Sequence, residues 1–151
     1  HSHEFQLFDG ETAMDLILQN TDPDLVQMEL DTYWAMRGGQ DPVKILQKMG
    51  KRCTLLHQQD YPAGLEEQLV QRQLIEPGAV VTREVFTASV DPKCFTEVGR
   101  GIMDIQGIID SADQIGGCDT VILEQDFTAL DEIESIKASM AGFKKYKNIQ
   151  F

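Results

Sequence analysis

The chain has 151 residues, enough for one ordinary domain with a core of its own. Its 42% hydrophobic and 25% charged content is that of a soluble globular protein. The formal charge of −12, from 25 acidic against 13 basic residues, argues against a nucleic-acid partner, because such binding rests on neutralising phosphates, and weakly against an anionic membrane surface.

A single phosphorylated small molecule stays compatible with that charge, since one or two local basic groups can hold one phosphate. No apolar run approaches the roughly 20 residues of a membrane-spanning helix, so no membrane span is expected. Cys53, Cys94 and Cys118 share no short spacing. They read as reduced thiols of a cytoplasmic protein rather than a disulfide frame or zinc knuckle. The chain opens His1-Ser2-His3 without an initiator Met or signal peptide, and Glu4-Phe5-Gln6-Leu7-Phe8 runs on as native sequence rather than as a tag. The expectation is a fragment whose amino-terminal portion lies elsewhere.

In chain order, residues 12–19 carry Met14, Ile17 and Leu18 at helical spacing, and Thr21-Asp22-Pro23-Asp24 ends that helix. Residues 25–31 are too few for a helix and alternate: Val26, Met28 and Leu30 on one face, Gln27, Glu29 and Asp31 on the other. This predicts a strand. After Gly38-Gly39, Asp41-Pro42 supplies an N-cap with proline at the first helical position, and residues 43–49 follow as a short helix closed by Gly50. Residues 53–57 read as a second strand. A long insertion runs from 58 to about 100, with a helix expected over 65–75 and ended by Glu76-Pro77-Gly78. Asp104 caps a helix over 105–115 that stops at Gly116-Gly117, residues 120–124 form a third strand, and a last helix is expected over 130–146.

Strand–helix alternation of this kind predicts an α/β fold with parallel strands covered by helices. The open doubly wound form would normally carry a phosphate-binding glycine loop after its first strand, and the chain holds neither GxGxxG nor GxxxxGK[ST]. Each predicted strand ends in a group able to bind a metal: Asp31, His57 and Glu124. In a barrel of alternating strands and helices, active sites gather at the carboxyl-terminal strand ends. One such residue alone is more often a helix cap or a satisfied structural histidine. Three in equivalent places form a site pattern. Alternation predicts that Glu29 lies one layer below Asp31 and Leu55 one below His57, while Leu30, Leu56, Val121 and Leu123 turn toward the helices.

Four segments carry a family resemblance: Glu29-Leu30-Asp31-Thr32-Tyr33-Trp34, Leu55-Leu56-His57-Gln58-Gln59-Asp60, the run from Phe95-Thr96-Glu97 through Gly99-Arg100-Gly101 to Asp104, and Val121-Ile122-Leu123-Glu124-Gln125-Asp126. In that order they resemble the xylose-isomerase-like sugar phosphate isomerase/epimerase family. The resemblance implies the carboxyl-terminal half of a (β/α)8 TIM barrel, from the end of strand five, where His1-Ser2-His3 would lie, through helix eight. It implies one divalent ion (Mn, Mg, Zn or Co) on Asp31, His57 and Glu124, with His1 or His3 where many relatives have a Glu. The implied activity is isomerisation or epimerisation of a sugar or sugar phosphate through an enediolate, with Glu124 and His3 as proton-transfer groups. Histidine-rich relatives include dehydratases and lyases of keto-sugars and inososes, so that reaction stays open, as does a non-catalytic half-barrel.

Trp34 is a candidate to wall the pocket or simply to pack between loop and helix. Glu97 and Arg100 are candidates for substrate contact, Arg100 for a phosphate, or else solvated loop charges. Glu29 and Asp60 are candidates to orient the ligands from behind, although Asp60 equally fits a turn. The 58–100 insertion is longer than a passive link requires and suits a lid or a subunit contact. Leu55 and Ile122 would sit on the uncovered inner face of a half-barrel. A homo-oligomer, or association with the missing half, is therefore expected.

Overall fold

The computed structural model describes residues 1–75 and 79–151. The chain begins with a 3-10 turn over Ser2–Phe5. A short antiparallel ribbon of β1 (Leu7–Phe8) and β2 (Glu11–Thr12) follows. Its turn is made by Asp9 and Gly10, both at positive φ (51° and 93°), the backbone that a two-residue Asp-Gly hairpin requires. Helix α1 (Ala13–Gln19) starts in a reciprocal cap, in which Thr12 Oγ1 accepts the Asp15 N–H and the Asp15 carboxylate accepts the Thr12 N–H.

Strand β3 (Met28–Asp31) leads directly into helix α2 (Thr32–Arg37), then helix α3 (Pro42–Met49) and strand β4 (Cys53–Gln58). Helix α4 (Arg83–Ala88) lies within the long insertion, and helix α5 (Ile105–Ile115), strand β5 (Thr120–Leu123) and helix α6 (Glu132–Phe143) complete the order. No described helix is long and apolar enough to cross a membrane.

Strands β3, β4 and β5 form one parallel sheet in that spatial order, as the alternation of elements predicts. The register sets Asp31 beside His57, and His57 beside Ile122. Leu30 and Leu56 turn into a core shared with Leu46, Met49, Ile105 and Ile108. The opposite face carries the half-buried Leu55 and His57 and the exposed Glu29 and Ile122. Period-two alternation thus sorts the sheet into a packed side and an open side, as expected from the sequence.

Four expectations are corrected. The first strand starts at Met28 rather than at 25, because the N–H groups of Leu25 and Val26 bond back to the Asp22 carbonyl in a turn. The helix expected over 65–75 is two 3-10 turns, Glu66–Gln68 and Gln71–Leu74. There the buried Gln71 accepts from Ser2 Oγ and donates to Ser89 Oγ at 2.8 Å, so tertiary bonds override local helix preference. Its expected terminator, Glu76-Pro77-Gly78, lies outside the described residues. Residues 1–5 form a turn, not the end of a strand: the Glu4 N–H bonds to the His1 carbonyl, and no described strand pairs with this segment. The last helix spans Glu132–Phe143, capped by the Asp131 carboxylate, rather than 130–146.

The insertion is folded back by Asp60. Its buried carboxylate accepts the N–H groups of Tyr61, Gly99, Gly101 and Met103 at 2.9, 3.0, 2.9 and 3.2 Å. Burial pushes this carboxyl up from its ordinary value, and the four N–H donors oppose that shift. A side chain on Gly101 would overlap the carboxylate, which explains the glycine. Helix α6 closes on the same loop: Ser139 Oγ accepts the Val98 N–H at 3.2 Å, and a Cβ on Gly142 would overlap the Val98 carbonyl. Gly142→Ala is therefore expected to lower unfolding free energy by about 1–3 kcal/mol, the usual cost of overpacking. A urea melt showing no loss would contradict this backbone-to-backbone contact.

Candidate metal centre

Each of the three strands delivers one polar group to the open face. Asp31 ends β3 and also caps α2, its Oδ1 accepting the Trp34 N–H at 2.7 Å. His57 lies in β4 directly beside it. Glu124 follows β5, its N–H extending the ladder to the Gln58 carbonyl at 3.2 Å. One ligand atom from each of Asp31, His57 and Glu124 falls within 4.8 Å of the others. His57 Nδ1 is 2.6 Å from Glu124 Oε2, and His57 Nε2 is 2.9 Å from Glu29 Oε1. A cavity of about 310 Å³ opens over them, lined also by His1, Glu4 and Glu29 and floored by apolar side chains such as Met14 and Ile17.

The chemistry of this donor set fits a divalent cation. Burial pushes the Asp31 carboxyl up to about 7, the neighbouring Glu124 adds to the shift, and the Trp34 N–H opposes it. Two carboxylates this close in a part-buried cleft favour a proton or a cation between them. Oxygen donors suit Mg²⁺ and Mn²⁺, and the imidazole adds Zn²⁺ and Co²⁺.

The other predicted residues are distributed unequally. His1 lines the cavity. His3 does not: it stacks on the His1 ring at 5.7 Å and meets Phe86 edge-on at 5.4 Å. Glu29 stands against the His57 ring, where a ligand-orienting group is expected. Asp60 organises the loop described above and is turned to backbone. Trp34 is 4% exposed and packs on His1 and Phe86 at 5.3 Å each, outside the cavity lining.

Glu97 and Arg100 also lie outside that lining. Glu97 accepts from Thr128 Oγ1 at 2.7 Å, Ser135 Oγ at 3.0 Å and Arg100 at 3.4 Å. Burial would raise its carboxyl, but these donors outweigh it and hold the group below its ordinary value. This carboxylate ties the insertion to α6. Glu4, Gln59 and Asp126 join this region without being expected there. Gln59 and Asp126 lie in the family-like segments, two residues after His57 and Glu124, which is a signal in the sequence. Glu4 carried none.

The Asp31 shift gives the metal-free protein a specific pH dependence. Its folded pKa lies above the ordinary 3.8, so the folded state holds the proton more tightly, and that contribution is lost as pH rises from about 4 to about 7. Asp31→Asn keeps a capping oxygen for Trp34 and removes the titration. In the metal-free state, wild-type stability relative to Asp31→Asn is expected to decline across that window. Parallel thermal-melt profiles for the two proteins would contradict it.

No family model matches the chain. It is 32% identical over 91 residues, 60% of its length, to an inosose dehydratase of Geobacillus kaustophilus, covering 29% of that protein. Two solved structures of Parabacteroides distasonis, each described as a sugar phosphate isomerase/epimerase, superpose on nearly the whole chain. One has a TM-score of 0.67 at 20% identity, covering 99% of this chain and 45% of its own. The other has a TM-score of 0.66 at 25% identity, covering 98% and 43%. The chain thus spans less than half the length of the solved structures it matches. In fold the chain is thus similar to solved sugar phosphate isomerase/epimerase structures, and over 91 residues its sequence is similar to an inosose dehydratase.

Proposed function

We propose that these residues form part of a metal-dependent isomerase or epimerase of a sugar or sugar phosphate, acting at a carbon beside a carbonyl. The observation that carries this reading is the convergence of Asp31, His57 and Glu124 at three neighbouring strand ends. A divalent ion held by these three side chains would act as a Lewis acid toward the substrate's oxygens and ease the build-up of enediolate charge.

The chain's own groups supply the rest. Glu124 follows a strand whose other residues need only be apolar, and its side chain is 34% exposed and lines the cavity. It takes the carbon-bound proton and, for isomerisation, returns it to the adjacent carbon; epimerisation needs a second group to protonate the opposite face. His1, which lines the cavity, is better placed than His3 to act as fourth ligand or proton-transfer partner. Glu124→Gln is expected to slow exchange of the substrate's α-proton with deuterated solvent by 10²–10⁴-fold, the range of general acid–base catalysis. Removal of divalent ions by a chelator should do the same. Full exchange in either case would refute the mechanism.

A second reading is a dehydratase or lyase on the same scaffold, favoured by the likeness to the inosose dehydratase. It begins with the same proton removal but expels a β-leaving group. Product mass separates the two: unchanged for isomerisation or epimerisation, reduced by water for dehydration.

The open sheet face bears on partners. Ile122, at 38% exposure, and the half-buried Leu55 lie on it, and β3 and β5 are both edges. We read this face as closed by further strands or by a second copy of the chain, the alternative being a non-catalytic half-barrel. The 151-residue chain expressed alone is expected to self-associate. Light scattering that returns a cooperatively melting monomer of 17.0 kDa would overturn this reading.

A further inference from the structure

Asp31 and Glu124 come from strands that do not pair, because β4 lies between β3 and β5. Backbone hydrogen bonds fix each strand against β4. They do not fix how far the two outer strand ends spread, and a twisted parallel sheet lets its outer ends diverge. Something beyond the ladder must set the span between the two carboxylates.

A polar bridge crosses this gap. Trp34 is joined to both sides: its backbone N–H donates to Asp31 Oδ1 at 2.7 Å, and its indole Nε1–H donates to Asp126 Oδ2 at 3.2 Å. The same Asp126 oxygen accepts Gln59 Nε2–H at 3.0 Å, while Gln59 Oε1 accepts the Asp126 N–H at 3.1 Å. Gln59 is 0% and Trp34 4% exposed, so both are packed on all sides, while Asp126 joins them from the exposed end of the bridge. Each member follows one of the three candidate ligands closely in sequence: Trp34 after Asp31, Gln59 after His57, Asp126 after Glu124.

We propose that the Trp34–Asp126–Gln59 bridge is a brace that sets the spacing of Asp31 and Glu124 across β4, with Asp126 as its central positioning residue. The inference rests on the metal reading of Asp31, His57 and Glu124 and assigns Asp126 no contact with the ion or the substrate. Loop anchoring alone would also explain these bonds, but it predicts lost stability without a selective loss of ion affinity. A brace predicts the reverse, because each bond acts on the distance between the two ligands.

The test is calorimetric titration of Mn²⁺ into the full-length protein, its Trp34→Phe and Asp126→Ala variants, and the double variant. Trp34→Phe keeps an aromatic ring against His1 and Phe86 and the backbone cap on Asp31, but removes the indole N–H. Each single variant is expected to bind Mn²⁺ about 10- to 100-fold more weakly, the usual effect of removing a group that orients metal ligands. The double variant should bind no more weakly than the worse single, because both break one bridge.

Melting of the metal-free proteins should change far less. Asp126→Asn, which keeps size and one acceptor oxygen, replaces Asp126→Ala if the latter fails to fold, with the same expectation in a milder degree. Trp34 is the single tryptophan of the chain, so its emission is a second readout: it should shift on Mn²⁺ binding in the wild type and shift less in Asp126→Ala. Affinities within about twofold of wild type, additive losses in the double variant, or losses that track melting would overturn the brace and leave the metal reading standing. A wild type that binds no Mn²⁺, Zn²⁺ or Co²⁺ would overturn the metal reading and the brace with it.

Discussion

The parallel pairing of β3 with β4 and β5 is the constraint on which the rest of the molecule depends. A parallel ladder sets neighbouring residues at fixed register, and period-two alternation sends each side chain to a determined face. Once Asp31 pairs beside His57, Leu30 and Leu56 must enter the helix-covered core, and Glu29 and Leu55 must join the polar ends on the other face. A slip of one residue would exchange these sets, burying carboxylates and exposing leucines. The core and the candidate metal centre are therefore two consequences of one register.

The acidic residues divide by what meets their oxygens. Asp60 and Glu97 are deeply buried, and each is satisfied by several donors: four backbone N–H groups for Asp60, two hydroxyls and Arg100 for Glu97. These carboxylates hold the long insertion to the strand ends and to α6. A buried carboxylate with its donors in place is structural, because its charge is already compensated. Asp31, Glu29 and Glu124 differ. They gather around a single imidazole, with the Trp34 N–H as a further donor to Asp31, so three carboxylates share few donors. That imbalance sets these carboxylates apart in a chain with 25 acidic residues, where acidity alone distinguishes none of them.

The insertion contributes through aromatic packing as well as through Asp60. Phe86, from α4, meets His1, His3 and Trp34, while Phe95 meets Trp34 and stacks on Tyr33 at 4.7 Å. Residues far apart in sequence thus form a wall behind the strand ends. This wall carries His1 to the cavity rim and buries the indole of Trp34, leaving its N–H to find Asp126.

Much of this was legible in the sequence. Helix α5 follows from its Asp104 cap and its Gly116 stop, the three strands from alternation and short length, and Asp31, His57 and Glu124 from their equivalent strand-end positions. Those signals are local, and local sterics or capping enforce them wherever the chain goes. Other features depend on distant partners. The helix read over 65–75 gave way to 3-10 turns because Gln71 bonds to Ser2 and Ser89. Helix α2 forms over a stretch whose periodicity announces no element, because Asp31 caps it and Tyr33, Trp34 and Ala35 are all buried. Glu97 and Asp60 lie in segments that suggest site residues, yet their oxygens are engaged by groups up to 43 residues away. The sequence by itself determined which face each strand residue takes, because alternation is a property of the backbone. Only the tertiary structure decided which carboxylates are met by several donors and which gather around one imidazole, because hydrogen-bond satisfaction depends on what the fold brings near.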